Sequence, residues 1–599
     1  MSSNRQIYVL GIDLGTTNSV VAYAALDAEA PQVELLKIPQ LVDASTTESV
    51  TSLASFCYIA PENLPSGSLD VPWAQDRKYC VGEFARRQAA EAPERTVAAA
   101  KSWLSHSRVD RRAPILPWQA PHDVEKISPL VTAQRYLEHL VAAWSTRFPD
   151  APMANQQVVL TVPASFDAAA RELTREAALA AGLPSDLVLV EEPQAAVYSW
   201  LADTGDAWRK AMGVGDQLLV CDVGGGTTDL TLIGIEQREG ELVMERMAVG
   251  DHLLVGGDNM DLTLAHFVAS QFAEQGVKLD PWQSVSLWHS CRTAKETLLA
   301  SDGPDSHTIS VLGRGSRLIG GTVSVEVDRT RVAEMLVDGF FPHCQLGDRP
   351  HKQRASGFQE LGLPFESDTA VTRHLATFLA AQSEGAANTY PTHVLFNGGV
   401  FQAEALQTRL MEVLCDWRGD REATRPLGGV HDLHHAVARG AAHYGWIKQH
   451  GGVRIRGGVG RSYYIGIETA GLAVPGAARP LQALCVVPFG MEEGTETDVP
   501  SHEIGLVLGE PAEFRFFSSA VRKEDQPGDV LQRWDESELS ETTPLSAKLP
   551  ADETVDEPYV PVLFQSRITE LGMFELWCVS TQNDRRWKLE FNVRDETED

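Results

Sequence analysis

Two stretches about two hundred residues apart repeat one pattern, and that repetition constrains the fold more than any other feature of the chain. The first is Tyr8-Val-Leu-Gly-Ile-Asp13-Leu-Gly15-Thr-Thr-Asn18-Ser-Val-Val-Ala-Tyr23. The second is Leu218-Leu-Val-Cys-Asp222-Val-Gly224-Gly-Gly-Thr227-Thr-Asp229-Leu-Thr-Leu-Ile233. Each reads as an apolar strand, an aspartate, a glycine–threonine turn and a second apolar strand. That is the pattern of a β-hairpin with a polar tip. Two such hairpins predict a duplicated α/β domain.

The chain between them alternates strands with helices, which argues for an α/β architecture. Residues 158–163 read as a strand ending at Pro163. Residues 164–181 read as a helix, with Gly182 as its C-cap. A strand over 187–190 leads into Glu191-Glu192-Pro193, and Pro193 suits the first turn of a helix because its missing N–H costs nothing there. Further on, residues 393–399 form a strand running into the pair Gly398-Gly399, and a helix is expected over 403–417. Residues 436–442 are a run of small residues suited to close helix packing. The glycine-rich, basic stretch 447–461 reads as a linker. After it come short strand-like runs without helical periodicity, which predict a β-sandwich or barrel. Residues 525–558 are acidic and contain Pro, Ser and Thr, so a long loop is expected there. Residues 313–316 suggest a hairpin turn. No run of long helices follows the β region.

Composition bounds the function classes. The chain has 599 residues, 43% hydrophobic and 22% charged. At about 150 residues per domain this allows roughly four domains with sizeable cores. Lys plus Arg number 51 against 82 Asp plus Glu, a net charge of −31. Such a surface repels phosphate backbones, so no nucleic-acid partner is expected. Eight cysteines with no C-x-x-C pair suggest a reducing compartment rather than a disulfide framework. No apolar stretch reaches the roughly 18 residues of a membrane span. These readings predict a cytoplasmic protein with no membrane partner.

The chemistry sits at the hairpin tips. Glycines let successive backbone N–H groups converge on one point, and such a nest binds anions, with threonine hydroxyls as further donors. An aspartate at each strand end, Asp13 and Asp222, can hold Mg²⁺ directly or through water. Two facing tips would clamp a triphosphate, and Glu192 at its strand end could orient an attacking water. Taken singly, each element has a plain structural alternative. A D-x-G-T sequence is a common turn, a glutamate favours a helix N-terminus, and a glycine pair makes a tight strand–helix turn. His431, His434 and His435 lack a further ligand to complete a zinc site.

Together, Gly11–Ser19, Val162-Pro163, Glu192-Pro193, Asp222–Asp229, Gly256-Gly-Asp-Asn-Met-Asp261 and the run 436–442 resemble the nucleotide-binding domain of the seventy-kilodalton heat-shock chaperones. These are DnaK-type members of the actin-like ATPase superfamily. The resemblance covers about residues 5–446, and Tyr464–Gly471 is similar to the start of that family's peptide-binding β-sandwich. It implies a two-lobed, duplicated actin-like (ribonuclease-H-like) ATPase domain over 1–446, a linker over 447–461, and a sandwich-like domain without a helical lid over 462–599. It implies slow hydrolysis of ATP to ADP with Mg²⁺, and binding of unfolded polypeptide or a dedicated partner, with co-chaperones. A nucleotide-dependent scaffold and a phosphotransferase are the alternatives.

By the same resemblance Asp13, Glu192, Asp222 and Thr227 are catalytic. Gly15, Thr16, Thr17, Asn18, Gly224, Gly225 and Gly226 surround the phosphates, and Gly256, Gly257, Lys295, Gly398 and Gly399 line the nucleoside side. The family's phosphate-reaching lysine falls on Arg86. The departures lie on the base side. The family's Gly-Gly-Ser-Thr-Arg becomes Gly398-Gly-Val-Phe-Gln402, without the guanidinium that would stack on adenine. Arg292 and Glu296 stand where the family carries the opposite charges, and residues 342–365 have no counterpart. The linker's arginines and glycines suggest a flexible tether suited to an acidic surface, and hence weak coupling between domains.

Overall fold

A computed structural model describes residues 6–106, 108–118, 120–238, 240–311, 323–351, 363, 365–383, 390–420, 423–428, 432–468, 481–492, 494–507, 511–535, 538–548, 559–569, 573–583 and 585–591. The turn expected at 313–316, residues 352–362 and 364 of the stretch 342–365, and His431 lie outside the described residues.

Both hairpins form, and each is the centre of a mixed sheet. Tyr8–Leu14 pairs antiparallel with Asn18–Ala25 and parallel with Gln157–Val162, which pairs in turn with Val188–Glu191. Gln217–Val223 pairs antiparallel with Thr228–Arg238 and parallel with His393–Asn397. The two sheets therefore repeat one topology. Their central strands are buried along almost their whole length, as strands covered on both faces must be. In register, Asp13 lies opposite Val20 and Asp222 opposite Asp229, so both aspartates sit at the tip ends.

The helices supply the cover. The one expected over 164–181 runs from Ala168 to Ala180, because Asp167 caps it by accepting from the Ala170 N–H at 2.7 Å. Glu192–Thr204 begins directly at the strand end, with Pro193 in its first turn. Ala436–His450 crosses both this helix and the first sheet. Its small residues allow that approach: a Cβ on Gly440 would lie 1.7 Å from the Ala195 carbonyl, and one on Gly11 2.2 Å from that of Ala438.

Two expectations about the later chain are corrected. The helix runs to His450, past the boundary placed at 446. The stretch after it is no free tether. Ile455–Arg456 adds a parallel strand beside Met244–Glu245, and the Ile455 N–H donates to the Tyr198 hydroxyl at 3.0 Å. Val453 and Ile455 pack on an apolar cluster that includes Trp200 and Met244. Alternation of apolar residues with arginines suits an edge strand, and the composition concealed that period.

Among the described residues the chain then forms nine strands in one hydrogen-bonded order, all antiparallel. Tyr463, Ile465, Leu484, Phe516, Val562, Phe564 and Leu576 share its core. Among the described residues after His450 there is no helix. The long loop expected over 525–558 is interrupted by the strands Val530–Leu531 and Ser540–Lys548. Within 540–546 of the latter, Thr543 and Leu545 are the buried residues. Thr543 is a polar inward residue whose hydroxyl accepts from buried Arg111 at 2.6 Å, so hydropathy gave no strand signal. All eight cysteines are free thiols. No helix of the described residues is long and apolar enough to cross a membrane.

Candidate active site

The two hairpin tips meet. A Cβ on Gly225 would lie 2.1 Å from Thr17 Oγ1, and one on Gly226 would lie 2.6 Å from Ser102 Oγ and 3.0 Å from Thr16 Cγ2. Only glycine lets the second tip approach the first this closely. Behind it, the backbone N–H groups of Gly257 and Asp258 donate to the carbonyls of Gly224 and Gly225, which seats the start of helix Gly257–Glu274 on the tip. Gly398 takes φ 87° with its Cα against the Val223 carbonyl, a conformation and a spacing that exclude side chains.

A cavity of about 310 Å³ opens between the tips. Asp13, Gly15, Thr16, Thr17, Asn18, Arg86, Glu192, Asp222, Gly224, Gly225, Thr227, Gly257, Lys295, Gly398 and Gly399 all line it. Two expected residues do not. Gly226 faces Thr16 and Ser102, and Gly256 faces the backbone of Gly224, Gly225 and Thr227, so both serve the packing of the tips.

Four carboxyl groups gather at the cavity floor: buried Glu192, Asp222 and Asp229, and half-buried Asp13. Burial and the Glu192 charge push Asp13 up to about 7. Burial, Glu192 and Asp229 push Asp222 up to about 8. Burial likewise raises Glu192 and Asp229. The Asn397 amide donates to Asp222 Oδ2 at 2.7 Å, and the Thr161 hydroxyl donates to Asp13 Oδ1 at 3.3 Å. Ser165 serves Asp229 Oδ1 through both its backbone N–H and its hydroxyl. That hydroxyl also meets His252 Nδ1 at 2.6 Å, and His252 Nε2 meets Ser105 Oγ at 2.9 Å. Burial holds His252 at about 4, so the imidazole in this chain is neutral at pH 7.

The cation among these carboxylates is one that sequence reasoning missed. The Lys101 ammonium bonds Glu192 Oε1. Burial works against its charge, but Glu192 and Asp13 outweigh it and raise the lysine above its ordinary value. Ala99, two residues before it, has φ 54°, a left-handed conformation unfavourable for alanine, and that turn starts the short helix Ala100–Leu104 that aims Lys101 inward. Arg86, which the resemblance put in the lysine's place, sits at the rim with its side chain 37% exposed, paired to Glu83 at 2.9 Å and Glu296 at 3.8 Å. The available signal was a lone lysine in the apolar run 96–104. Asp229, the last residue of the second motif, is a further floor residue that the motif alone does not assign.

On the far side of the cavity, Arg292 pairs with Asp258 and with Asp261, at 2.9 Å from the latter, and Lys295 pairs with Asp261 at 2.6 Å. Burial lifts Asp258 to about 6 against the pull of Arg292. Arg292 is thus locked within the wall. Val400, Gln402, Leu433 and His434 complete it, with Gln402 Nε2 lying 2.6 Å from His434 Nε2.

Among the described residues no three His, Cys, Asp or Glu side chains converge as a metal cage. The all-oxygen donor set of Asp13 and Asp222 suits a hard divalent cation that keeps most of its waters. At the floor, four carboxyl groups face one ammonium, and such an ion would supply further positive charge there.

The family model described as Hsp70 protein matches residues 69–342. A chaperone protein HscA homolog of Aliivibrio fischeri is 31% identical over 310 residues. That alignment covers 50% of this chain and 43% of the relative, so the chain spans under half of the relative's length.

Proposed function

The chain belongs to the Hsp70 family, and from that premise we propose that it is a chaperone-type ATPase that binds Mg-ATP in the cavity and hydrolyses it slowly. The observation that carries this reading is the contact of two glycine–threonine tips over four carboxyl groups and one lysine. We read the two sheets as the two lobes of a duplicated actin-like domain, and the nine strands as the sandwich-like domain that takes unfolded polypeptide or a dedicated partner, with co-chaperones. Eight free thiols suit action in the cytoplasm.

In this reading the backbone N–H groups of Gly15–Asn18 and Gly224–Thr227 hold the triphosphate, with hydroxyls from Thr16, Thr17 and Thr227. Asp13 and Asp222 would hold Mg²⁺, which would supply charge neutralisation at the phosphates. Lys101 faces the same oxygens as a compact point charge. Glu192 accepts the hydrogen bond of the attacking water once Lys101 turns to the phosphate. Their direct ion pair keeps Glu192 engaged until then and favours low turnover. That pair also supports a second reading, a nucleotide-dependent scaffold that hardly hydrolyses. Gln402 cannot stack on adenine as a guanidinium plane does, so ATP should be preferred over GTP by less than about 100-fold, or 2.7 kcal/mol.

The test is Mg²⁺-dependent phosphate release by the full chain, with and without small hydroxyl acceptors. Slow release independent of acceptor supports the ATPase. Nucleotide binding without release supports the scaffold, and phosphorylated acceptor would establish a phosphotransferase.

A further inference from the structure

Away from the cleft, a second cavity of about 50 Å³ lies where helix Ala168–Ala180, strand Glu241–Val249 and residues 458–463 come together. Arg171, Arg246, Arg461 and Glu191 share its wall. Glu191 is fully used: Arg171 Nη2 takes Oε1 at 2.8 Å, and Arg246 Nη1 takes Oε2. The two arginines hold Glu191 below the usual carboxylate range although burial works the other way. The Arg246 side chain is 0% exposed. Its Nη2 donates to the Gly457 carbonyl at 3.0 Å, and its Nε–H has no acceptor. Arg461 is 7% exposed. Its Nη2 donates to the Gly250 carbonyl at 3.1 Å and lies 3.4 Å from the largely exposed Asp251, and its Nε–H also has no acceptor.

We infer that this cavity is a binding site for one small inorganic anion. Two buried guanidinium groups, Arg246 and Arg461, and the partly buried Arg171 face one buried carboxylate, and uncompensated buried charge is costly. Two buried N–H donors lack acceptors, which native structures rarely tolerate. Water would satisfy the donors but not the charge, whereas a halide or a tetrahedral oxyanion supplies both. The volume holds more than one water and is far below the roughly 300 Å³ at which organic ligand pockets begin. The anion ties the 457–461 segment, through Arg461, to strand Glu241–Val249, through Arg246, so it stabilises the chain by mass action.

The experiment is thermal unfolding of the full chain in sodium gluconate at fixed ionic strength, with gluconate replaced stepwise by chloride or by inorganic phosphate. Gluconate is too large to enter. A saturable rise in Tm is expected, with its half-saturation point shifted at least about tenfold in Arg461→Met. No rise, or an equal rise in Arg461→Met, overturns the site, and the latter would place any phosphate in the nucleotide cleft. Should Arg461→Met not fold, wild-type crystals soaked in bromide and in selenate decide. An anomalous peak within hydrogen-bond reach of both Nε atoms supports the site, the bromide arm identifying a halide and the selenate arm an oxyanion. No peak in either soak overturns it.

Discussion

At the scale of single residues, the cleft is governed by which buried charge has a partner. Lys101 is the ammonium that faces Glu192 and Asp13. Lys101→Met should lower phosphate release at least about tenfold, because positioning and charge neutralisation carry phosphoryl transfer. Asp222→Asn should do the same through metal handling, and unchanged release in either variant would refute the assignment. Arg86→Lys should change turnover by less than about threefold, since Arg86 is a half-exposed partner of Glu83 and Glu296. A large effect would restore the role that the resemblance gave it. The raised carboxyl groups set a pH dependence. Asp13 at about 7 and Asp222 at about 8 retain protons that Mg²⁺ must displace. Their folded-state values lie above the unfolded ones, so without ligand their contribution to stability is lost as pH rises through 7 and 8. Metal binding competes with those protons, so Mg-ATP affinity should rise between pH 6 and 8, by up to about tenfold per unit for each proton displaced. Titration calorimetry at the two pH values checks the sign, and equal affinities would refute it.

At the scale of elements, what the sequence made legible followed from local chemistry. The hairpins, the proline-started helix at Glu192 and the small-residue helix all carry their signals within a few residues. The floor of the cleft was legible for the same reason, since Asp13 and Asp222 are fixed by the motifs that make the turns. Lys101 was not, because its meaning depends on Glu192, which lies 91 positions away. Ser540–Lys548 was hidden because its buried Thr543 is satisfied by Arg111 from another element. The helix Ala436–His450 gives the sharpest test at this scale. Gly440→Ala places a methyl 1.7 Å from the Ala195 carbonyl, on the helix that begins with Glu192. Backbone cannot yield as a side chain can, so the variant should lose at least about 2 kcal/mol of stability. Urea unfolding measures it, and a loss under about 0.5 kcal/mol would mean the two helices have room to part.

At the scale of the whole molecule, the cleft and the β region are joined by more than a tether. Glu191, held by Arg171 and Arg246, directly precedes Glu192, and Arg246 reaches the carbonyl of Gly457. Lys523, from the β region, donates to the Met247 carbonyl at 2.8 Å, and Met573 packs into the core of the first sheet. Basic, glycine-rich composition suggested weak coupling, yet composition does not record that Ile455 is seated beside Met244. Trypsin can report this seating. Arg454 and Arg456 are exposed side chains, but cleavage after them requires the backbone to leave the Met244–Glu245 pairing and enter a protease cleft. The rate then follows the population of the opened segment. Ile455→Asp sets a carboxylate against an apolar cluster and should raise cleavage at these two arginines at least about tenfold, about 1.4 kcal/mol of local opening. Mg-ATP should shift the wild-type rate by more than about fivefold, because a change at Glu192 bears on Glu191 and hence on the Gly457 contact, and a ligand moves such an equilibrium through its differential affinity for the two states. If cleavage in the Ile455→Asp variant matched the wild type, the segment would be free in solution. If only Mg-ATP had no effect, the segment would be docked but deaf to the nucleotide, and the chain would act as a rigid scaffold rather than a cycling chaperone.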